Sequence, residues 1–271
     1  MSRPLIPDAD LVRRAQAIIG EYAASRVEII AARPGNPLRA EVRRFADAVA
    51  TRAPPFGEHL FNRAVGFTDA TLEAAAGVVG WYADAPVVGA FEIAPGLEND
   101  RLMALLSARG YRHVRFHGAF AGPSQLPQVP APGVEVRQVS DDADLAAFSD
   151  AYHLGWANEG PRVPMRPWLT APGWSLYLAL CDGAPAGAAI FYLRGGDAYL
   201  ADGAVDPQFR RRGVHRSLLD RRCADAAAAG ARVVYAGADY LSASSRNMMR
   251  KGLALLCTKA IWRAPQPNER G

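Results

Sequence analysis

The sequence predicts an α/β (α+β) protein with a mixed, mostly antiparallel central sheet, flanking helices and two domains in tandem. Three observations predict this. The second half shows hairpin-linked strands followed by a strand–loop–helix–strand order. A Pro- and Gly-rich segment lies near the middle of the chain, and a helix–Gly–strand pattern stands near the end of each half.

The central segment, Gly122–Gly133, contains four prolines and two glycines in twelve residues. Such a segment cannot continue a helix or a central strand. We therefore predict a first domain at 1–124, a linker at 125–133 and a second domain at 134–271.

The composition indicates a globular protein. Of the 271 residues, 50% are hydrophobic and 21% are charged, which is ordinary for a folded domain with a substantial core. The net charge is +4, and of the 31 basic residues only Lys251 and Lys259 are lysines. This excess is too small and too dispersed to predict a nucleic-acid partner, which requires a basic stripe or a recognised module. It is compatible with a small anionic ligand.

The sequence shows no apolar segment of the secretory or membrane-spanning kind, so we expect a cytoplasmic protein without a membrane partner. Cys181, Cys223 and Cys257 are too far apart to form a CxxC pair, and no HExxH is present, so no metal site is predicted. We expect Cys181 and Cys257 to be buried as small hydrophobic residues rather than to act as nucleophiles.

The two halves resemble each other at one offset. Gly110 and Gly252 each follow a helical stretch and precede a strand-like run that ends in an aromatic residue, and they are 142 residues apart. Glycine at such a position is a typical helix stop. One explanation is that the two halves arose by internal duplication. The alternative is coincidence, because a helix–Gly–strand pattern is common.

The second half can be assigned in order. Polar–apolar alternation predicts the first strand, an Asp-rich start predicts the first helix, and Asp-Gly and Gly-Gly pairs predict two hairpin turns. A long helix ending before Gly230 follows a loop. The predicted elements are strand 134–139, a helix from Asp141, an irregular stretch from Trp156 to Trp174, strands 176–181, 186–193 and 198–205, helix 214–229 and strand 232–236.

The loop before the long helix carries the chemistry. Pro207 ends the preceding strand, and Arg210, Arg211, Arg212 and Gly213 lead into the helix. The first N–H groups of a helix have no intrahelical partner and lie at its positive end, so a phosphate binds there readily. The alternative is a solvated helix start, as we expect for the arginines at 221 and 222.

Here the sequence resembles the GNAT N-acetyltransferase superfamily. The run Arg210-Arg-Arg-Gly213-Val-His215 after a Val-x-Pro strand end is similar to the acyl-CoA loop of that family, and Ser244 to Leu253 is similar to its second CoA-side element. The resemblance spans about 134–262. It implies two GNAT-like domains in tandem, with a degenerate first domain that lacks the CoA loop.

The resemblance implies acetyl-CoA as the cofactor. Main-chain groups of Ala204 and Val205 would hold the pantetheine and acyl group, and Asn247 would reach the pantetheine arm. The pyrophosphate would lie in a cradle formed by Arg210, Arg211, Arg212, Gly213, Val214, His215, Arg216 and Ser217. Two residues depart from the family pattern: His215 replaces a Gly or Ala, and Leu253 replaces an aromatic residue.

The resemblance assigns the catalytic groups less directly than it assigns the CoA-binding residues. The family's usual tyrosine acid corresponds to Met248, so Tyr240 and Ser244 are candidate substitutes. Asp202, near the mouth of the strand, is the candidate base for the attacking amine. Two alternatives stay open: Asp202 is only a strand-end polar residue, or positioning and backbone polarisation act without a strong base.

The acceptor side is assigned to the irregular stretch, where Trp156, Glu159, Trp168 and Trp174 are candidate substrate-binding residues. The alternative is that these tryptophans fill the core beneath a loop.

At the 142-residue offset, positions 210–215 correspond to Thr68–Glu73, which contain no Gly and no Arg. We therefore expect one acetyl-CoA per chain. The predicted function is transfer of an acetyl group from CoA to a small-molecule amine by a monomer or homodimer. The alternatives are a protein or peptide N-acetyltransferase and a non-catalytic CoA-binding sensor or interaction module.

Overall fold

The computed structural model describes residues 6–56, 61–156 and 162–265. These residues form two compact units. The N-terminal unit comprises described residues of 6–119 together with 256–265, and the C-terminal unit comprises those of 120–255. This division differs from the predicted boundaries, because the chain from Leu256 onward groups with the N-terminal unit.

The N-terminal unit is a mixed sheet with helices. Its helices are α1 (Ala9–Ala31), α2 (Leu72–Ala83) and α3 (Asp100–Ala108). Its strands are β1 (Glu41–Phe45), β2 (Ala48–Arg52), β3 (Arg63–Val65), β4 (Ala90–Ile93), most of β5 (Arg112–Pro123) and most of β11 (Ala254–Arg263). The strand order is β1-β2-β3-β4-β11-β5, and β3 pairs with β4 in parallel.

Strand β11 explains why the end of the chain belongs to this unit. It pairs with β4 in antiparallel register, with Ile261 opposite Glu92 and Trp262 opposite Phe91. Trp262 packs against the apolar core of the unit. These pairings join residues that are far apart in the chain, so no local sequence pattern indicates them.

A buried ion cluster lies in this unit around Glu92. Arg63 Nη1 lies 3.0 Å from Glu92 Oε1, and the Lys259 ammonium contacts the other carboxylate oxygen. Burial alone raises the pKa of Glu92, but the charges of Lys259 and Arg63 hold it well below its usual value. All three side chains are nearly excluded from solvent, so removing Glu92 leaves two buried cations without the carboxylate that pairs with both.

The C-terminal unit has the predicted architecture. Its elements are β6 (Val134–Gln138), α4 (Asp142–Trp156), β7 (Trp174–Cys181), β8 (Ala184–Arg194), β9 (Asp197–Val205), α5 (Val214–Ala228), β10 (Val233–Asp239) and α6 (Ala243–Lys251). The end of β5 lies beside β10, and the order continues β10-β9-β8-β7-β6. Pairs β6–β7, β7–β8 and β8–β9 are antiparallel and β9–β10 is parallel, which confirms the predicted mixed, mostly antiparallel sheet.

The two predicted hairpin turns are present, and their backbone shows why those residues are needed. Asp182 and Gly183 have φ values of 50° and 81°, and Gly195 and Gly196 have values of 58° and 82°. Two successive left-handed residues match the right-handed twist of the flanking strands. Asp and Gly tolerate this conformation better than other residues.

The same order of elements recurs at the predicted offset. Helix α2 begins at Leu72 and α5 at Val214, 142 residues later. Strand β5 begins at Arg112 and β11 at Ala254, again 142 residues later. The two helix-stop glycines both have positive φ, 77° at Gly110 and 107° at Gly252. The correspondence of two helices and their strands favours duplication over chance.

The segment predicted as a linker packs on the C-terminal unit. Ser124 Oγ donates to the Ala231 carbonyl at 2.5 Å, and the Val129 N–H donates to Asp220 at 3.1 Å. Lys251 pairs with the same Asp220 side chain, and both residues are buried. Across the described residues, no helix has the length and apolarity that crossing a membrane requires.

Candidate functional site

The site lies where β9 ends. Ala188 of β8 pairs with Ala204, and Ile190 pairs with Ala201, so β9 carries one extra residue between these pairs. This is a β-bulge, which bends the strand and redirects its side chains. Asp202 lies in the bulge with a left-handed φ of 45°, and Gly203 follows it.

The bulge directs the Asp202 carboxylate toward helix α4. The Tyr152 hydroxyl donates to Asp202 Oδ2 at 3.0 Å. Helix α4 comes this close because Gly155 has no side chain: a Cβ there would lie 2.7 Å from the Ala204 Cβ and from the Val205 nitrogen. Tyr152 was not predicted as a site residue, since its partner is 50 residues away in the chain.

Beyond the bulge, β9 and β10 separate. Their parallel pairing ends at Leu200 and Ala236, whereas β9 continues to Val205 and β10 to Asp239. The edge of β9 that faces β10 is therefore outside the ladder at Ala204 and Val205. Main-chain groups on such an edge are available to hydrogen-bond an extended ligand.

The loop after β9 forms a tight turn that leads into α5. The Asp206 side chain accepts the Gln208 N–H at 3.0 Å and holds a short 3-10 helix, Pro207–Phe209. Arg211 then has a φ of 66°, and Gly213, the N-cap of α5, has a φ of 86°. Left-handed residues in a short turn direct successive N–H groups into one concavity, and the start of α5 adds its own unpaired N–H groups.

Gly213 is required by both conformation and space. A Cβ at this position would lie 2.6 Å from the Ala131 Cβ, and the left-handed φ is strained for any other residue. The arginines around it, Arg210, Arg211, Arg212 and Arg216, are exposed. Arg212 pairs with Asp182 at the surface.

His215 links the start of α5 to α6. Its Nε2 lies 3.2 Å from Ser244 Oγ, and its Nδ1 lies 3.4 Å from Asn247 Nδ2. Burial lowers the pKa of His215 to about 4, and the Arg222 guanidinium acts in the same direction. The imidazole is therefore neutral at physiological pH.

Gly203 lies beside this imidazole at ordinary contact distance. A Cβ at Gly203 would lie 3.6 Å from His215 Nε2 and 3.4 Å from the Arg222 guanidinium. The bulge thus presents two sides: Asp202 contacts α4, and Gly203 lies against α5. The structure brings Ser244, Asn247 and His215 together, and it places Asp202 with Tyr152 instead.

Arg222 is buried, which corrects the expectation that it lies at the surface. Its Nη1 donates to the carbonyls of Ile190 and Ala201 at 3.0 and 2.9 Å, and its Nε donates to Leu218 at 3.0 Å. These carbonyls satisfy the charged head group in the interior. Its spacing of four residues from buried Leu218 is the sequence signal for this position.

Tyr240 follows β10 and is 51% exposed. Ser244 lies in the first turn of α6, where Ser242 caps the helix by accepting the Ser245 N–H at 3.1 Å. Cys181 is buried as expected, whereas Cys257 is only partly buried, which corrects the expectation for that residue. Burial raises the pKa of the Cys257 thiol and raises that of the buried Cys223 thiol to about 11, so neither of these two resembles an activated nucleophile.

The tryptophans separate into two groups. Trp156 is 47% exposed, with its ring centroid 6.4 Å from that of Tyr152. Trp168 and Trp174 stack at 5.2 Å and are 1% and 5% exposed, which matches the core interpretation and leaves little of either ring to line an open pocket. Glu159 lies outside the described residues.

The corresponding turn in the N-terminal unit has a different chemistry. Thr68 precedes a 3-10 helix at Asp69–Thr71, and Thr71, the residue before α2, has a φ of −112°. The Asp69 carboxylate accepts N–H groups of Arg101 and Leu102 at 3.2 and 2.8 Å, at the start of α3. An acid of the chain itself therefore binds that helix N-terminus, and the turn offers no cationic side chain.

Comparisons with known proteins bear on the family and the fold. Residues 144–254 match the model of the acetyltransferase (GNAT) family. A GCN5-related N-acetyltransferase from Kribbella flavida has a similar structure, with a TM-score of 0.63 and 18% identity over 89% of this chain and 95% of that one. A GCN5-related N-acetyltransferase from Sphaerobacter thermophilus gives a TM-score of 0.58 and 17% identity over 97% and 94%. No curated protein sequence matches the chain.

Residues 144–254 of the C-terminal unit thus form an acetyltransferase domain of the GNAT family. The tandem GNAT protein from the clavulanic acid biosynthesis pathway is also similar, with a TM-score of 0.57 and 15% identity over 96% of this chain and 97% of that one. The chain is a tandem GNAT-fold protein, because its N-terminal half shares the fold.

Proposed function

We propose that the C-terminal unit transfers an acetyl group from acetyl-CoA to the amine of a small molecule. The observation that carries this proposal is the left-handed, arginine-rich turn from Arg211 to Gly213, which leads into α5 beside the diverging ends of β9 and β10. One CoA per chain is expected, since the corresponding turn of the N-terminal unit carries Asp69.

The residues present fit the cofactor. The N–H groups from Arg211 to His215 suit a pyrophosphate, and the exposed arginines add positive charge around the same turn. The free edge of β9 at Ala204 and Val205 suits the amide-containing pantetheine arm. Asn247 has its amide nitrogen toward His215, so it would contact the arm through its remaining hydrogen-bonding capacity.

The chain's own groups then act on the acceptor. When bound, acetyl-CoA supplies a thioester whose carbonyl carbon is open to attack and whose thiolate leaves. Asp202 is the proposed base: its carboxylate attracts an ammonium group and takes a proton from the amine. The Tyr152 hydroxyl holds one carboxylate oxygen and so orients the other.

Among the described residues, the acceptor side includes the Asp202 carboxylate and the exposed ring of Trp156. A cationic amine is stabilised by the face of a tryptophan as well as by a carboxylate, and Trp156 and Asp202 are joined through Tyr152. This pair suits a single ammonium group. A protein or peptide acceptor is the alternative, and a panel that contains both classes distinguishes them.

A non-catalytic CoA sensor is the other alternative. It is favoured by Met248, which is 4% exposed and provides no acidic hydrogen at the position of the family's tyrosine. CoA release separates the two functions, because a sensor binds acetyl-CoA without amine-dependent release.

The first test is calorimetric titration with acetyl-CoA of the wild type, Gly213→Ala and Gly230→Ala. Both glycines are left-handed, with φ of 86° and 78°, but a Cβ at Gly230 meets nothing within 4 Å. Gly230→Ala is therefore the matched control for backbone strain. We expect one site per chain, affinity reduced roughly 10-fold or more in Gly213→Ala, and wild-type affinity in Gly230→Ala.

The second test is CoA release from acetyl-CoA in the presence of amino acids, polyamines, aminoglycosides and a peptide with a free N-terminus. Release that depends on a small amine supports the proposal. Equal affinity of wild type and Gly213→Ala, or no acetyl-CoA binding by the wild type, contradicts the assignment of the turn.

A further inference from the structure

Three side chains form a directed hydrogen-bond chain between α5 and α6. His215 Nε2 lies 3.2 Å from Ser244 Oγ, and His215 Nδ1 lies 3.4 Å from Asn247 Nδ2. A fourth residue, Arg250, donates from Nη1 to Asn247 Oδ1 at 3.2 Å. This last contact fixes the donor-to-acceptor direction of the hydrogen-bond chain.

The direction follows from the donors available. A guanidinium only donates, so the Asn247 oxygen faces Arg250 as an acceptor, and the Asn247 NH₂ group faces the imidazole as a donor. His215 Nδ1 must then accept. In a neutral imidazole with Nδ1 as acceptor, the hydrogen is on Nε2 and is directed at Ser244 Oγ.

The surroundings favour this neutral form. Arg222 from the same helix is the charged group that faces the ring, and Gly203 of β9, Ser244 and Asn247 are its uncharged neighbours. The low pKa of His215 agrees with this environment. An imidazolium would place a second N–H against the Asn247 NH₂ group.

We propose that His215 is a positioning residue for acyl transfer: its Nε2–H donates to Ser244 Oγ and directs the serine O–H toward the acyl thioester at the end of β9. The inference rests on the proposed acetyltransferase function. Ser244 is close to the bulge, since its partner His215 Nε2 lies 3.6 Å from a Cβ placed on Gly203, the residue before Ala204.

In this arrangement Ser244 is a hydrogen-bond donor and not a nucleophile. A serine nucleophile needs Nε2 without hydrogen, so that the ring can accept the serine proton. Here the tautomer is the opposite one. The amine therefore attacks directly: a C–N bond forms, the C–S bond breaks with its electron pair on sulfur, the amine proton goes to Asp202, and the Ser244 O–H stabilises the charge that develops on the thioester.

The tautomer can be measured without turnover. Protein labelled with ¹⁵N-histidine is observed by long-range ¹H–¹⁵N NMR at pH 7, and His215→Gln assigns the His215 signals. We expect a neutral ring with hydrogen on Nε2. In Asn247→Asp the carboxylate accepts from Nδ1, so the hydrogen is expected to move there. Hydrogen on Nδ1 in the wild type, or an imidazolium at pH 7, would overturn the proposal.

The kinetic arm uses acetyl-CoA and the panel amine with the highest rate. Ser244→Ala and His215→Leu are expected to lower kcat roughly 10- to 100-fold with little change in the KM for acetyl-CoA. His215→Gln keeps an N–H donor near the Nε2 position and is expected to restore much of kcat. Ser245→Ala is the matched control, because the Ser245 hydroxyl donates to the Ser242 carbonyl and not to His215.

Two kinetic results would refute the role of His215: wild-type kcat in His215→Leu, or equal loss in His215→Gln and His215→Leu. A burst of CoA release equal to the enzyme concentration would show an acyl-serine and refute the donor role of Ser244. If the wild type binds no acetyl-CoA, the proposed function fails on its own measurement, while the NMR experiment still tests the hydrogen-bond chain.

Discussion

Replacing His215 by glutamine is expected to change how the stability of the chain depends on pH. In the folded protein the pKa of His215 is about 4, lowered first by burial and then by the Arg222 guanidinium, against an ordinary value of 6.5. Between these values the unfolded chain binds a proton that the folded chain does not. Stability contributed by neutral His215 is therefore present above pH 6.5 and is lost as the pH falls toward 4.

The magnitude follows from the two pKa values. Each unit of pKa difference corresponds to about 1.4 kcal/mol, so the full loss is roughly 3 kcal/mol. Between pH 7 and pH 5 the loss amounts to about 2 kcal/mol, because the folded ring is still mostly neutral at pH 5. Glutamine does not titrate, so this part of the pH dependence is expected to disappear in the variant.

The assay is urea unfolding of wild type and His215→Gln at pH 5, 6 and 7, followed by a probe of the C-terminal unit such as amide hydrogen exchange of β9. Other titrating groups, Glu92 among them, are common to both proteins and cancel in the difference between them. We expect the wild type to lose about 2 kcal/mol more than the variant between pH 7 and 5. A difference that is independent of pH would refute the buried, neutral assignment of His215.

Three further predictions follow from single contacts. Tyr152→Phe removes the hydroxyl that donates to Asp202 Oδ2, so kcat for the best panel amine is expected to fall roughly 10-fold, and an unchanged rate would remove the pair from the mechanism. Arg222→Leu removes a nearby positive charge, so the NMR-measured pKa of His215 is expected to rise, and a lower pKa would contradict this. Glu92→Ala leaves two buried cations unpaired and is expected to cost about 3–5 kcal/mol in urea unfolding of the N-terminal unit; a loss within 1 kcal/mol, roughly that of a surface change, would contradict the buried assignment.

Local chemistry made part of this fold predictable. The Asp182-Gly183 and Gly195-Gly196 pairs predicted hairpins because few residues accept two successive left-handed conformations, and both pairs have them. The start of α5 at Val214 was likewise predictable, since Gly213 stands where a left-handed N-cap is needed. Such signals depend on two or three adjacent residues.

Long-range pairing was not predictable. The run from Leu256 belongs to β11, yet nothing in its composition specifies β4 as its partner. The Tyr152–Asp202 contact depends on a bulge in β9 and on a glycine in α4, and neither has a distinct sequence signature. Arg222 was expected at the surface because charge usually indicates exposure, whereas carbonyls from two strands satisfy it in the interior.

The departure at His215 was visible in the sequence, but its meaning required the side chains around it. A histidine in place of Gly or Ala adds bulk beside the strand end, and its ring lies next to Gly203 of β9. The family resemblance alone therefore predicted that His215 belongs to the CoA cradle. Its contacts with Ser244 and Asn247 make it a candidate positioning residue for acyl transfer.

The turn before α2 in the N-terminal half differs from the turn before α5 in both backbone and side chains. At the corresponding position, Thr71 replaces Gly213, and its φ of −112° is open to any residue, so the left-handed cradle does not form. Asp69 then binds the N–H groups at the start of α3 from within the chain. A carboxylate at a helix N-terminus is stabilised by the same unpaired N–H groups and dipole that stabilise a phosphate. Asp69 therefore ties the turn to the start of α3, the counterpart of α6, while the start of α2, the counterpart of α5, has neither a left-handed glycine nor an arginine to offer a phosphate.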